Sequence, residues 1–170
     1  NNNINLSRQF TQIGSEIIGV EKDYCLNEII NLIIEILNKL KIKKFIINFS
    51  IPNLIKLIAT DFKLNKSDYE TLVNCYRNKN IEKIKDLSKN LFEMSEYLLG
   101  GIGEIEKKGE YLKKFKFQKN IKKEIHNFVD QIRKIKAYFI DYEIIIDPLE
   151  VDESNYHDGF CFKIYSENSK

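Results

Sequence analysis

From Asp61 to Tyr138 the apolar residues recur at helical spacing, and the β-like segments lie only before and after this block. A chain written this way must bring strands from distant positions into one sheet and lay helices against it, so the expected class is α+β. Before the block, Leu26–Leu40 carries a wide apolar stripe and reads as a helix. Lys44–Ser50 then reads as a strand with Phe45, Ile47 and Phe49 on one face. Pro52 opens a helix over Asn53–Thr60, at a position where proline is favoured. Inside the block, Ser67-Asp-Tyr-Glu70 has the form of a capping box, followed by a helix to about Arg77. Further helices are expected over Ile81–Leu99, Glu104–Phe115 and Lys119–Ala137, the last with Ile121, Ile125, Phe128, Val129 and Ile132 on one face. After the block, Tyr138–Asp147 is a strand rich in β-branched and aromatic residues, and Tyr156–Tyr165 is expected as its partner. The division that follows is a sheet core over 1–60 and 138–170 with a helical insert over 61–137.

The segment Arg8-Gln-Phe-Thr-Gln-Ile-Gly-Ser-Glu-Ile-Ile-Gly19 carries the chemistry. Read as a strand over Gln9–Ile18, it places Arg8, Phe10, Gln12, Gly14 and Glu16 on one face. A glycine within a strand weakens it unless something must approach the backbone closely. Here Gly14 separates an amide from a carboxylate, which suits a floor for a small polar ligand. Gln12 and Glu16 stand roughly 13 Å apart along an extended chain, a span that side chains leaning inward close around an amino acid.

These residues resemble the strand that follows the motif 2 loop in histidyl-tRNA synthetases and in their non-synthetase paralogues, the regulatory subunits of short-form ATP phosphoribosyltransferase. Tyr156-His-Asp-Gly-Phe-Cys-Phe162 resembles the Tyr-Tyr/His-Thr-Gly-x-x-Phe segment of the same superfamily, with Asp158 in place of Thr. Ile146-Asp-Pro148 is similar to the Asp-Pro that regulatory subunits carry ahead of it, and Asn48-Phe-Ser-Ile-Pro-Asn-Leu54 to their strand-to-helix turn. The resemblance implies an antiparallel sheet of the class II aminoacyl-tRNA synthetase core type, in part, with a helical insert. It implies that Gln12 holds the α-amino group of histidine and Glu16 the imidazole. Tyr156, His157 and Gly159 would line the same pocket. Arg8 resembles an arginine on the nucleotide side, against the plainer reading of a surface cation.

One position separates the two branches. The synthetases carry a catalytic arginine four residues before the first Tyr of the Tyr-Tyr segment, and Asp152 stands there, with no Arg or Lys anywhere from Leu149 to Asn155. An aspartate repels the charge that develops when a carboxylate attacks the α-phosphate of ATP. The resemblance therefore implies a non-catalytic regulatory subunit, needed for phosphoribosyl transfer and for histidine feedback. Its partners would be the short catalytic subunit, a further copy of itself, and histidine. The alternatives are a divergent synthetase, or a related ATP-dependent amino-acid-activating enzyme, and an RNA-binding module.

Composition excludes little else. A net charge of +2 gives no general drive toward nucleic acid or membrane. Cys25, Cys75 and Cys161 are widely spaced, fit reduced cytoplasmic thiols and form no metal-ligand spacing. No cofactor is implied. Lys107–Lys136 holds eleven Lys/Arg against three acids, and its lysines fall opposite an apolar helical face, which reads as a solvated surface. Gly100-Gly-Ile-Gly103 lies between helices without a following Lys-Ser/Thr and reads as a turn rather than a phosphate loop. His126, between Ile125 and Asn127, reads as structural.

Overall fold

The computed structural model describes residues 17–19, 22–151 and 159–166. The chain divides into two compact units, 1–43 and 44–170. In the first, α1 (Lys22–Lys39) buries Ile30 and Ile34. It ends on Lys41, whose φ of 61° lets the amides of Lys41 and Ile42 cap the carbonyls of Asn38 and Leu37. Ile17 and Ile18 belong to no strand, and the rest of the strand expected over Gln9–Ile18 lies outside the described residues.

The second unit contains a four-stranded sheet. Its elements are β1 (Phe45–Ser50), α2 (Leu54–Asp61), α3 (Lys66–Arg77), α4 (Ile84–Leu87), α5 (Lys89–Gly100), β2 (Gly103–Glu104), α6 (Ile105–Lys114), α7 (Lys119–Tyr138), β3 (Glu143–Asp147) and β4 (Cys161–Ser166). The strand order is β2-β3-β1-β4.

Two expectations about the sheet are corrected. It is mixed rather than antiparallel, because β1 and β3 run parallel while β1–β4 and β2–β3 run antiparallel. The reason lies in the helical block. Parallel neighbours need a long crossover, and α2 through α7 supply it. The partner of β4 is β1, not β3. β1 occupies the centre, so residues after β3 must pass it, a distance of about two strand spacings or roughly 10 Å, before pairing on its far side.

The helices also differ from the reading in detail. The cap of α3 is Asn65, two residues ahead of the expected box: its side chain accepts from the Asp68 amide at 3.0 Å and donates to the Asp68 carboxylate at 2.8 Å. Asparagine is among the best N-caps, so it outcompetes Ser67. The helix expected over Ile81–Leu99 breaks at Ser88, which is extended (φ −168°, ψ 132°) and caps α5 by accepting from the Leu91 amide. Serine mid-pattern offers the backbone this alternative to a continuing helix. The Gly-rich turn holds a short strand that periodicity does not reveal. Gly103, at φ 138°, pairs with Ile146 of β3 in a conformation that side chains rarely adopt.

The apolar face of α7 is buried as read, with Ile121, Ile125, Phe128, Val129 and Ile132 all at 0% exposure. Between α5 and α6, Tyr97 stacks on Tyr111 at 4.2 Å, with Phe115 at 4.5 Å. Between α3 and α5, the Tyr76 hydroxyl meets Ser95 Oγ at 2.8 Å, and Ser95 donates onward to the Leu91 carbonyl. Burial pushes the Tyr76 phenol far above its ordinary range, with the Ser95 hydrogen bond opposing in part. An unfolded tyrosine ionises near pH 10, so the folded chain holds the proton more tightly. The stabilisation is complete below that pH and is lost as pH rises above it. Tyr76→Phe is expected to cost about 1 kcal/mol at neutral pH and to lessen the loss of stability above about pH 10, as read from thermal midpoints across the alkaline range.

Candidate functional site

The two faces of the sheet differ in kind. Phe45, Ile47 and Phe49 of β1 point one way, beside Ile144 and Ile146 of β3 and Phe162 and Ile164 of β4. Ile47, Phe49 and Ile146 are fully buried there. Phe162 packs against Phe49 at 5.6 Å, and Phe128 of α7 meets Phe160 edge-on at 5.4 Å. This is the core face.

The opposite face is polar. Asn48 stands between Ile145 and Lys163, and Ser50 stands between Asp147 and Cys161. Glu104 of β2 pairs beyond Ile145. At the strand ends, Ser50 Oγ lies 3.5 Å from the Cys161 carbonyl. The Asp147 carboxylate, 8% exposed, receives Lys79 Nζ on both oxygens at 2.9 and 2.7 Å and the Leu149 amide at 3.0 Å. Lys79 reaches it from the turn after α3, where its own φ is 51°. Lys163 pairs with Glu150. Asn48 is 6% exposed, and its Oδ1 has no hydrogen-bond partner.

Of the residues proposed from the sequence, Arg8, Gln12, Glu16, Tyr156 and His157 lie outside the described residues, as does Asp152. Gly159 is described. It is exposed, sits two residues ahead of Cys161, and a Cβ there would meet nothing within 4 Å. Packing therefore does not require a glycine at that position. Asn48, Ser50, Asp147 and Lys163 were not singled out as site residues, although alternation within Phe45–Ser50 places Asn48 and Ser50 together opposite the phenylalanines. His126 has a half-buried ring on α7 whose Nε2 lacks a partner.

An open groove of about 320 Å³ lies between α6 and the end of α7, lined by Ile105, Glu106, Arg133, Lys136, Ala137 and Ile140. Its cations are already engaged. Arg133 pairs with Glu110, and Lys136 pairs with Glu106 at 3.3 Å and donates to the carbonyls of Ile140 and Tyr142. The Arg133 guanidinium also holds the Glu110 carboxyl below its ordinary range. Elsewhere in the basic segment, Lys113 pairs with Asp130, Lys107 with Glu104, and Lys108 with the Gly100 carbonyl. Much of the charge that suggested RNA thus serves to staple α6 to its neighbours. Among the described residues no cluster of His, Cys, Asp and Glu is placed to hold a metal, and no helix is long and apolar enough to cross a membrane.

Comparison with known proteins supplies the family. The family model described as histidyl-tRNA synthetase matches residues 1–170. A relative from Clostridium acetobutylicum named ATP phosphoribosyltransferase regulatory subunit is 29% identical over 170 residues, covering 93% of this chain and 40% of the relative. Four further relatives carry the same name. A histidine–tRNA ligase from Methanococcus maripaludis is 28% identical over 170 residues, covering 93% of this chain and 38% of the ligase. The chain thus spans about two fifths of the length of the curated relatives it matches. Among solved structures, a chain of the ATP phosphoribosyltransferase (HisG:HisZ) complex from Thermotoga maritima shares the fold, with a TM-score of 0.65 at 16% identity over 88% of this chain and 53% of that one. With that family model matching residues 1–170, the chain belongs to the histidyl-tRNA synthetase family.

Proposed function

We propose that this chain forms part of a regulatory subunit of short-form ATP phosphoribosyltransferase and performs no amino-acid activation itself. The observation that carries the reading is Asp152, which stands where the synthetase branch needs a cation. The shared name of five relatives supports it. In this reading Gln12 and Glu16 form the amino-acid floor, and Tyr156, His157 and Gly159 wall it, with Arg8 at its nucleotide side. The ligand is histidine. A carboxylate against an imidazole N–H gives a charge-assisted hydrogen bond and rejects apolar side chains.

The subunit docks on the short catalytic subunit and on a further copy of itself, in the cytoplasm. Histidine regulates by binding one state of that complex more tightly than the other. Segments 1–60 and 138–170 supply the pocket-bearing part, and 61–137 is the helical insert, which also gives the sheet its edge strand β2.

The test is phosphoribosyl transfer by the catalytic subunit, assayed with and without the full-length protein. The expected rise is about tenfold or more, within the range of ordinary coupling between sites. An unchanged rate rejects the reading. The ligase relative motivates a second reading, amino-acid activation. Histidine-dependent exchange of pyrophosphate into ATP would establish it in place of the first.

A further inference from the structure

We propose that the corner between α6 and α7 is a docking surface for an acidic protein face, and that this face belongs to the catalytic subunit of the complex proposed above. The proposal rests on that reading and adds to it the surface on this chain and the charge of its partner.

Between Glu110 and Glu124 the chain carries six lysines and no acid. Of the six, Lys113 pairs with Asp130. Lys114, Lys116, Lys119, Lys122 and Lys123 are exposed, and among the described residues no ion pair holds any of them. The Glu110 carboxylate near Lys114 is already taken by Arg133. The corner thus differs from the rest of the basic segment, where Lys107, Arg133 and Lys136 each meet a glutamate.

Packing fixes where these charges point. Phe115 is extended (φ −74°, ψ 144°), and the rings of Phe115 and Phe117 lie 4.7 Å apart against Tyr97. Alternation along an extended segment then turns Lys116 outward. Lys119, Lys122 and Lys123 stand on the first turns of α7, which buries Ile121 and Ile125 and leaves the lysines exposed.

The arrangement is electrostatically unfavourable for the free chain. Lys119 and Lys123 are like charges one turn apart, and Lys119 and Lys122 are neighbours on the helix surface. Lys119 and Lys122 also sit at the positive end of the helix dipole, where α7 has no acid in its first turn and no side-chain cap. An acidic face relieves these repulsions together. Nucleic acid fits the corner less well, because its sites add rings on which bases stack and guanidinium forks that grip phosphates. Here the rings of Phe115 and Phe117 are engaged with Tyr97, and the five exposed cations are all lysines. The compact, strongly hydrated charge of lysine suits a wet contact that steers encounter.

The experiment measures the Kd of the full-length protein for the catalytic subunit at low and moderate salt, for wild type and for Lys116→Glu/Lys119→Glu/Lys122→Glu. Wild-type affinity should fall as salt rises. The triple variant should bind about tenfold more weakly or worse at low salt, mostly through slower association, and should lose the salt dependence. Its own melting temperature should be no lower than that of the wild type, because two of the new carboxylates lie in the first turn of α7. If it does melt lower, Lys116→Gln/Lys119→Gln/Lys122→Gln takes its place, with a smaller loss of affinity expected in the same direction. Equal affinity and equal salt dependence in wild type and variant overturn the proposal and leave the regulatory reading intact. Saturable wild-type binding to a single-stranded RNA oligonucleotide, tighter than to the catalytic subunit and lost in the variant, overturns the assignment to a protein partner. A wild type that neither binds nor activates the catalytic subunit overturns the regulatory reading, and this proposal with it.

Discussion

Lys79→Met is expected to lower the stability of the protein by about 3 kcal/mol, near the lower end of what breaking a buried ion pair costs. The Asp147 carboxylate is 8% exposed and receives two bonds from Lys79 Nζ. Without the lysine, the donor that remains to it among the described residues is the Leu149 amide. Because the Lys79 side chain is 35% exposed, part of the lost attraction is replaced by water, which places the effect at the lower end. Equilibrium urea unfolding measures it. Pairing Lys79→Met with Asp147→Asn should recover most of the loss, because the charge that needed the lysine is then gone. A double-mutant cycle with no coupling between the two positions would show that the pair does not hold the turn after α3 to the end of β3.

Phe49→Ala is expected to cost about 3–5 kcal/mol, the range for truncating a fully buried aromatic. Phe49 is 0% exposed on the central strand and packs on Phe162 of β4. That loss is a large share of the 5–15 kcal/mol by which most domains are stable, so the variant should be soluble only at reduced temperature. Thermal melts make the measurement, and Phe49→Ala should lower the midpoint sharply. A Phe49→Ala variant with wild-type stability would mean that this face is not the core.

Much of the helical part was legible because its signals are local. Apolar spacing located α7 and its buried face to within a residue, and Pro52 placed the start of α2. The splits and caps were less legible. Ser88 and Asn65 act through a single hydrogen bond each, and a serine or asparagine in a helical pattern looks the same whether or not it makes one. The sheet was misread where the information is not local. Nothing near Cys161–Ser166 states that its partner is Phe45–Ser50 rather than Glu143–Asp147, since both are short β-branched and aromatic runs. The candidate site was read from family likeness at positions 8 to 16 and 156 to 159, and all of these positions except Gly159 lie outside the described residues. The polar face of β1, with Asn48 and Ser50, rests on an alternation that the phenylalanines of the same strand overshadow.

The position of β1 at the centre of the sheet has a consequence for synthesis. Both its neighbours lie about a hundred residues downstream, so a ribosome releases Phe45–Ser50 long before anything exists to pair with it. Helices α2 to α7 can form from neighbouring turns in that interval, whereas pairing over such sequence separation is slow. The nascent chain therefore carries an isolated hydrophobic strand while those hundred residues are made, a species prone to self-association. Its yield in a cell should depend on chaperone capacity more than its final stability would suggest.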